Sequence, residues 1–579
     1  MNDNKSNTTK NKITKTNNMK NMKNKSPKNE KIVDEIERLK KTNILNTYLG
    51  NKGYSIFKIC LNENLIKFIK EELTVRPFVQ NTIVKPNDFP VYQESDKKIY
   101  VPRFWGIKYF GEPKEIKISY GKSINLTFKG ELRDYQTNVL NNYLEKINYN
   151  EDDKQNKGDG SALIELWTGA GKTVLALKIL QVLKKKTILF VHKSFLKDQW
   201  IERIEQYLPD AKIGIIQGPI IDIENKDIVI AMIQSISMKS YPDSLFDDFG
   251  LSIYDECHHI SSEIFSNCLR KCTTLYSLGL SATMNRKDGL THVFKMYLGD
   301  ICNKDSKQEQ PKDDVLVKAI DFEVIDDDEY NEIEYDFRGT VKYTTMVSKI
   351  SNYSFRSDFI VNVIENELNI NKNQQFIVLA QTKNLLNYLF KAIKFKEITS
   401  VGYYVGGMKQ NELKESESKQ IILATYSMAA EGLDIKSLTT LVLASPKSDI
   451  VQSVGRILRE KHSKPLIIDI IDKHLPFINQ FQKRKSFYNQ KEYKIIRTNK
   501  ERYLNYIKMV NNAIKNNETF EDDLDKSIWN EIIPKTKKTN ISNINNKKSG
   551  NLINIDVNTE VNTDEDTDLL IEKKFKCLL

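Results

Sequence analysis

Leu166-Trp167-Thr168-Gly169-Ala170-Gly171-Lys172-Thr173 follows a short apolar run and opens a helix-forming stretch. A strand that ends in a glycine-rich turn and feeds a helix can aim several backbone N–H groups at one anion. The helix dipole adds to that attraction. Thr168, Gly169, Ala170 and Gly171 would wrap the phosphate oxygens of ATP, Lys172 would meet the β- and γ-phosphates, and Thr173 would ligate Mg²⁺. The usual phosphate-loop pattern begins with a glycine where this chain has Leu166, so the loop is expected to exist with an altered shape. Taken alone, the segment also reads as a strand–helix turn carrying a surface lysine.

Outward from this loop, apolar runs at 162–166, 187–191, 227–232, 251–254 and 277–280 alternate with helix-length segments. Buried runs of this length separated by helices predict a parallel sheet covered on both faces. A second alternating block carries runs at 375–380, 420–424, 440–444 and 465–470. The fold class is therefore α/β, with two doubly wound domains in tandem. The expected division is a basic disordered tail over 1–29, an N-terminal accessory domain over 30–125, and the ATP-binding domain over 126–302. A polar linker over 303–314 leads to a second α/β domain over 315–500, a helical extension over 501–535 and a polar disordered tail over 536–579. Within the accessory domain, the apolar and aromatic run from Ile99 to Gly106 reads as a strand and a turn. Its Phe104 and Trp105 would either stack on bases or, the favoured reading, fill a small core.

Composition narrows the class. The chain of 579 residues has a formal charge of +11, which suits a polyanion partner. None of its apolar runs approaches the roughly 20 residues needed to span a bilayer, and the Asn/Lys/Thr-rich start does not resemble a secretory signal. Six scattered cysteines point to a reducing compartment. Cys577 stands third from the end, which does not support prenylation.

Leu251-Ser252-Ile253-Tyr254-Asp255-Glu256-Cys257-His258 supplies a buried strand ending in two carboxylates, placed at the edge of the sheet beside the loop. Asp255 would hold Mg²⁺ through water, and Glu256 would orient and deprotonate the attacking water. Asp-Glu after a strand can also be a solvated helix cap. Zinc binding by Cys257, His258, His259, Cys268 and Cys272 is disfavoured, because three of the five are consecutive. Phosphoryl transfer also needs positive charge at the γ-phosphate, and a trans-acting arginine can be worth about 10³–10⁵ in rate. Arg456 and Arg459, three apart in Gln452-Ser453-Val454-Gly455-Arg456-Ile457-Leu458-Arg459, share a helix face in the second block. Beside a phosphate loop in the first, they make an ATP site split between domains.

These segments, in this order, resemble the superfamily 2 helicases over about residues 130–459: Leu132-Arg133-Asp134-Tyr135-Gln136, 168–173, 255–258, Ser281-Ala282-Thr283, Glu431-Gly432-Leu433-Asp434 and 452–459. The resemblance implies two RecA-like domains. It implies that Gln136 reads adenine with support from Arg133, and that Asp434 reaches the nucleotide from the second domain. Arg456 and Arg459 would be the arginine fingers. Ser281, Thr283, His258 and Gln452 would couple ATP state to strand grip, and Lys193, Gln234 and Thr425 would touch the phosphate backbone. His258 marks a DExH variant. Ala282-Thr283-Met284-Asn285-Arg286-Lys287-Asp288-Gly289 is similar to the branch containing the XPB helicase and the poxviral transcript-release helicase.

The expected function is that of an ATP-dependent helicase or translocase, a nucleic-acid-dependent ATPase using ATP and Mg²⁺. It would act on DNA in preference to RNA, during transcription of a large DNA virus, with a transcription complex as a partner and no membrane. An intracellular setting goes with this, the host cytoplasm or a viral factory, with packaging in the virion. An RNA helicase and an ATP-switched remodelling factor are the alternatives. A binding protein with a dead ATPase is disfavoured by the intact Lys172, Asp255, Glu256 and Arg456. Oligomeric state is left open.

Overall fold

Strand Ser161–Glu165, which leads into the glycine-rich loop, lies at one edge of a seven-stranded sheet. The computed structural model describes residues 27–42, 44–77, 87–149, 160–167, 169–258, 263–284, 289–303, 314–431, 435–457, 465–516 and 526–532. The sheet runs, from the opposite edge, Ile220–Ile221, Ile213–Gln217, Ile228–Met232, Thr187–Val191, Leu251–Tyr254, Tyr276–Ser281, Ser161–Glu165. All pairings are parallel except the first. The C-terminal ends of the strands at Glu165, Ser281 and Tyr254 therefore meet on one edge, which is where open α/β sheets build their sites. Thr187–Val191, Ile228–Met232 and Leu251–Tyr254 are buried throughout, as strands covered on both faces must be.

The second sheet has eight strands in the order Val401–Tyr404, Ile421–Thr425, Phe376–Ala380, Thr440–Leu443, Leu466–Asp472, Leu316–Phe322, Lys494–Asn499, Asn530–Glu531. Only the last pairing is antiparallel. The stretch beyond residue 500 is part of this fold: helix Lys500–Lys515 buries Tyr503, Tyr506 and Val510, and Trp529 is buried in the same core. Leu316–Phe322 carries two charges inside. Lys318 is 1% exposed and its ammonium meets both Glu367 oxygens at 2.9–3.0 Å, so the cost of burying it is offset by a buried partner. Phe195, at the start of helix Ser194–Tyr207, packs against the cores of both sheets, and Glu202 of that helix pairs with Lys414.

The N-terminal region forms a smaller five-stranded sheet in the order Gln93–Glu94, Lys98–Val101, Gly53–Phe57, Thr47–Gly50, Glu115–Ile116. Helix Pro27–Lys41 starts inside the stretch expected to be a tail, and its Ile36 and Leu39 join this region's core. The expected strand and turn from Ile99 to Gly106 is corrected: Lys98–Val101 is a strand, but Arg103–Phe110 is a helix. Pro102 precedes its first turn and Gly111, at φ 87°, ends it, a start and stop the sequence displays. Trp105 is 3% exposed and packs with Phe68, Tyr109 and Phe110, so it is a core residue. Leu290 and Val293, at and beside the start of helix Thr291–Leu298, join this core and tie it to the ATP-binding lobe.

Residue 303, assigned to the linker, belongs to that lobe. Asn303 is 4% exposed, its amide donates to the Glu165 carbonyl at 2.6 Å, and its oxygen accepts the Glu165 N–H at 3.0 Å. It thus pairs with the strand before the loop as a neighbouring strand would. Residues 304–313, 1–26 and 533–579, which carry the rest of the expected linker and tails, lie outside the described residues.

Candidate active site

Leu166 extends the edge strand by one residue, its N–H donating to the Ser281 carbonyl at 3.1 Å. It is buried, so the position where a glycine was expected belongs to the sheet. The turn itself closes between the Ala170 N–H and the Trp167 carbonyl at 3.2 Å, with Gly169 at φ 86°. Gly171, at φ 73°, caps helix Lys172–Leu183. Left-handed backbone at both positions is tolerated by glycine at little cost. Lys172 and Thr173, both half-buried, therefore head a helix whose first N–H groups lack intrahelical partners. Thr168 lies outside the described residues.

Gln136 braces this loop from the side. Its amide donates to the carbonyls of Ala170 at 3.0 Å and Gly171 at 3.2 Å, and its oxygen accepts the Arg133 N–H at 2.9 Å. Tyr135, to which the sequence reading gave no role, adds a hydroxyl bond to the Ala170 carbonyl at 2.8 Å and sets its ring 5.0 Å from Trp167. The exposed Arg133 guanidinium meets the Tyr135 hydroxyl at 3.2 Å. The side chain expected to read adenine thus also fixes the phosphate loop.

Across the sheet edge, Asp255 and Glu256 follow strand Leu251–Tyr254. Asp255 accepts the Trp200 indole N–H at 2.8 Å and, through its other oxygen, the Glu256 N–H at 3.0 Å. Burial and the adjacent Glu256 carboxylate push the Asp255 carboxyl up, while Trp200, Lys172 and His192 pull it back. Glu256 has φ 45°, a left-handed backbone that a non-glycine residue adopts at a cost of about 1–3 kcal/mol and that clusters at functional sites. One Glu256 oxygen lies 3.6 Å from the Lys172 ammonium, and the other lies 3.3 Å from His258 Nδ1. Strand end and loop are therefore held together by charge.

A further contact leads away from the carboxylates. The Ser281 hydroxyl lies 2.7 Å from the Thr283 carbonyl, which can only accept, so the serine proton points there. His258 Nδ1, 2.8 Å from the same oxygen, must then donate, as does the Thr283 N–H at 3.1 Å. His258 so joins Glu256 to the Ser281–Thr283 turn. Glu165 backs that turn by accepting the Met284 N–H at 3.1 Å. Trp200, Glu165 and Asn303 are site residues that the sequence reading missed, and their types carry no signal of it. Cys257, Cys268 and Cys272 are buried, and burial pushes their thiols up.

The remaining expected residues lie elsewhere. Lys193 is the N-cap residue of helix Ser194–Tyr207, its ammonium 5.9 Å from the Phe195 ring. Gln234 donates to the His192 carbonyl at 2.6 Å, and Thr425 ends its strand beside Ser427 at 3.3 Å. Gln452 and Arg456 sit on helix Val451–Ile457. Arg459 and Asp434 lie outside the described residues.

Residues 129–286 match the family model described as type III restriction enzyme, res subunit, and residues 359–461 match the helicase conserved C-terminal domain. A protein of Acanthamoeba polyphaga mimivirus named as an ATP-dependent RNA helicase is 34% identical over 466 residues, covering 78% of this chain and 87% of that one. The chain is a superfamily 2 helicase. The helicase is also 28% identical over 409 residues to the DNA 3'-5' translocase XPB2 of Sulfurisphaera tokodaii, covering 63% and 88%. A protein of African swine fever virus named as an ATP-dependent RNA helicase is 26% identical over 374 residues, covering 58% and 70%. This helicase hydrolyses ATP, works on nucleic acid, and has the two RecA-like lobes and the XPB-like viral relatives expected of it.

Proposed function

We propose that the helicase is a DNA translocase acting in transcription, at termination or transcript release, in a large DNA virus. The observation that carries the motor part is the continuous contact from Lys172 through Glu256 and His258 to Ser281 and Thr283. A carboxylate that activates water is thereby bound to a turn able to report on its state, which a plain ATPase would not need. Support for DNA comes from the translocase relative and from the segment at 282–289. The names of the mimivirus and African swine fever virus relatives favour RNA, and an RNA helicase is the second reading.

The donor set fits a magnesium nucleotide: two left-handed glycines open a concave backbone, a lysine heads the helix, the partly buried Glu256 faces it, and the buried Asp255 adjoins Glu256. Thr173 and Asp255 would hold Mg²⁺, through the nucleotide and through water, and the ion would neutralise charge developing on the phosphates. Lys172 would move from Glu256 toward phosphate, freeing that carboxylate to take a proton from water. Gln136 would orient the base with Arg133, while Arg456, Arg459 and Asp434 would complete the site from the second lobe. Lys193, Gln234 and Thr425 would hold the strand by its backbone, a contact that positions without choosing sequence. Host cytoplasm or a viral factory, and carriage in the virion, are the settings that suit this reading.

The test is ATP hydrolysis by the full chain with single- and double-stranded DNA and RNA, with Lys172→Ala as control. Stimulation by DNA, most strongly by duplex, is the expected result. Stimulation by RNA alone would overturn the DNA assignment and keep the motor.

A further inference from the structure

The N-terminal sheet has two unlike faces. Leu49, Tyr54, Ile56, Ile99 and Val101 are buried on one. On the other, register sets Tyr48 beside Ser55 and Glu115, Ser55 beside Tyr100, and Phe57 beside Lys98. Lys117, two residues past Glu115 and bonded to the Leu49 carbonyl, continues the same face by alternation. Tyr48, Phe57 and Tyr100 are half-buried there, with Tyr48 and Phe57 centroids 6.2 Å apart.

Each ring carries an ammonium. Lys98 lies 4.9 Å from the Tyr48 centroid and 4.7 Å from that of Phe57, and donates to the Tyr48 hydroxyl at 3.0 Å. Lys117 lies 4.8 Å from Tyr48, and Lys52 lies 5.8 Å from Tyr100. Glu115 is the carboxylate on this face, paired with Lys117 at 2.8 Å and more than half exposed.

We propose that this face is a second nucleic-acid site, one that takes a single strand. Three aromatic rings on one face of a sheet offer stacking surfaces to successive bases, an arrangement that is tolerant of sequence. The lysines supply the matching charge. A phosphate draws an ammonium off a ring and leaves the ring face to a base, so the same side chains serve the empty and the filled state. A duplex hides its base faces and gains only the lysine contacts. The inference rests on the nucleic-acid substrate of the helicase and not on the choice between DNA and RNA.

The test is fluorescence anisotropy of labelled DNA and RNA oligonucleotides, single-stranded and as blunt duplexes, with the full chain. Tyr48→Ala/Phe57→Ala should weaken single-strand binding about thirtyfold, the loss of two stacked bases at the low end of the usual stacking contribution, and leave duplex binding unchanged. Tyr48→Phe/Phe57→Tyr keeps both ring faces and should bind normally. Lys98→Ala/Lys117→Ala should flatten the single-strand salt dependence by about 1.4 in log–log slope, two phosphate contacts at about 0.7 each. The response of DNA against RNA in the ring variants identifies which strand the face takes. Unchanged single-strand affinity in the alanine pair, or equal losses on duplex and single strand, overturns the proposal. A wild-type chain that binds no oligonucleotide overturns it together with the function proposed above.

Discussion

Trp200→Phe should separate Asp255, the carboxylate proposed to hold Mg²⁺, from the rest of the site. The indole N–H donates to Asp255 at 2.8 Å inside the protein, and phenylalanine keeps most of the packing while removing that donor. A hydrogen bond to a charged, buried acceptor is worth about 1.5–3 kcal/mol. The bond favours the ionised form, so its loss raises the Asp255 pKa further. The sign follows directly. Burial and Glu256 already raise the Asp255 pKa. A further rise keeps it protonated to higher pH, and a protonated carboxyl does not hold Mg²⁺. The acidic limb of the ATPase pH profile should therefore move to higher pH, and more Mg²⁺ should be needed on that limb than in the wild type. Urea unfolding gives an independent reading: the variant should lose stability where Asp255 is ionised, and the difference should shrink as pH falls through its pKa. A limb that stays in place, or a stability loss equal at all pH values, would refute the argument that the indole acts through the carboxylate charge.

Lys172→Ala should abolish ATP turnover while nucleic-acid binding stays measurable by anisotropy, because Lys172 is not among the residues proposed to hold the strand. Glu256→Gln should bind a fluorescent ATP analogue and hydrolyse ATP very slowly in single-turnover assays, and rapid hydrolysis would remove Glu256 from the water-activating role. Gly171→Ala should weaken nucleotide binding and lower stability by about 1–3 kcal/mol, since a Cβ there would lie 2.6 Å from the Gln136 amide on a backbone at φ 73°. Asn303→Ala should cost about 1–3 kcal/mol in urea unfolding, because it leaves the partly buried Glu165 N–H and C=O without the Asn303 partner at the root of the loop.

What could be read from the sequence follows from how local its physics is. Strands 187–191 and 251–254 are short, mostly apolar runs that end at His192 and Asp255, and the structure places both to the residue. Ile213–Gln217 escaped because three of its five residues are only partly buried and Gly214 breaks its apolar run. Leu316–Phe322 escaped for another reason: Lys318 and Asp321 interrupt the apolar pattern, and the Glu367 and Arg497 that make their burial tolerable are distant in the chain. The helix Arg103–Phe110 had a legible start and stop in Pro102 and Gly111, yet its apolar residues are not gathered on one side, so no amphipathic period announced it.

The site divides along the same line. Motif residues stand on strand ends and helix starts, where neighbours in sequence fix the backbone, so their positions could be read directly. The residues that tune them come from across the sheet. Trp200 reaches Asp255 from a helix 55 residues earlier, Gln136 reaches Ala170 over 34, and Asn303 reaches Glu165 over 138. Leu166 shows both sides of this. Against the loop pattern it is a departure, but one hydrogen bond to Ser281 makes it the last rung of the sheet, and the loop then begins one residue later. A pattern tests residue types at fixed spacings, whereas the site needs only that Gly169, Gly171 and Lys172 arrive with the right backbone. That requirement is met by the sheet register, which the Ser281 strand sets from more than a hundred residues away.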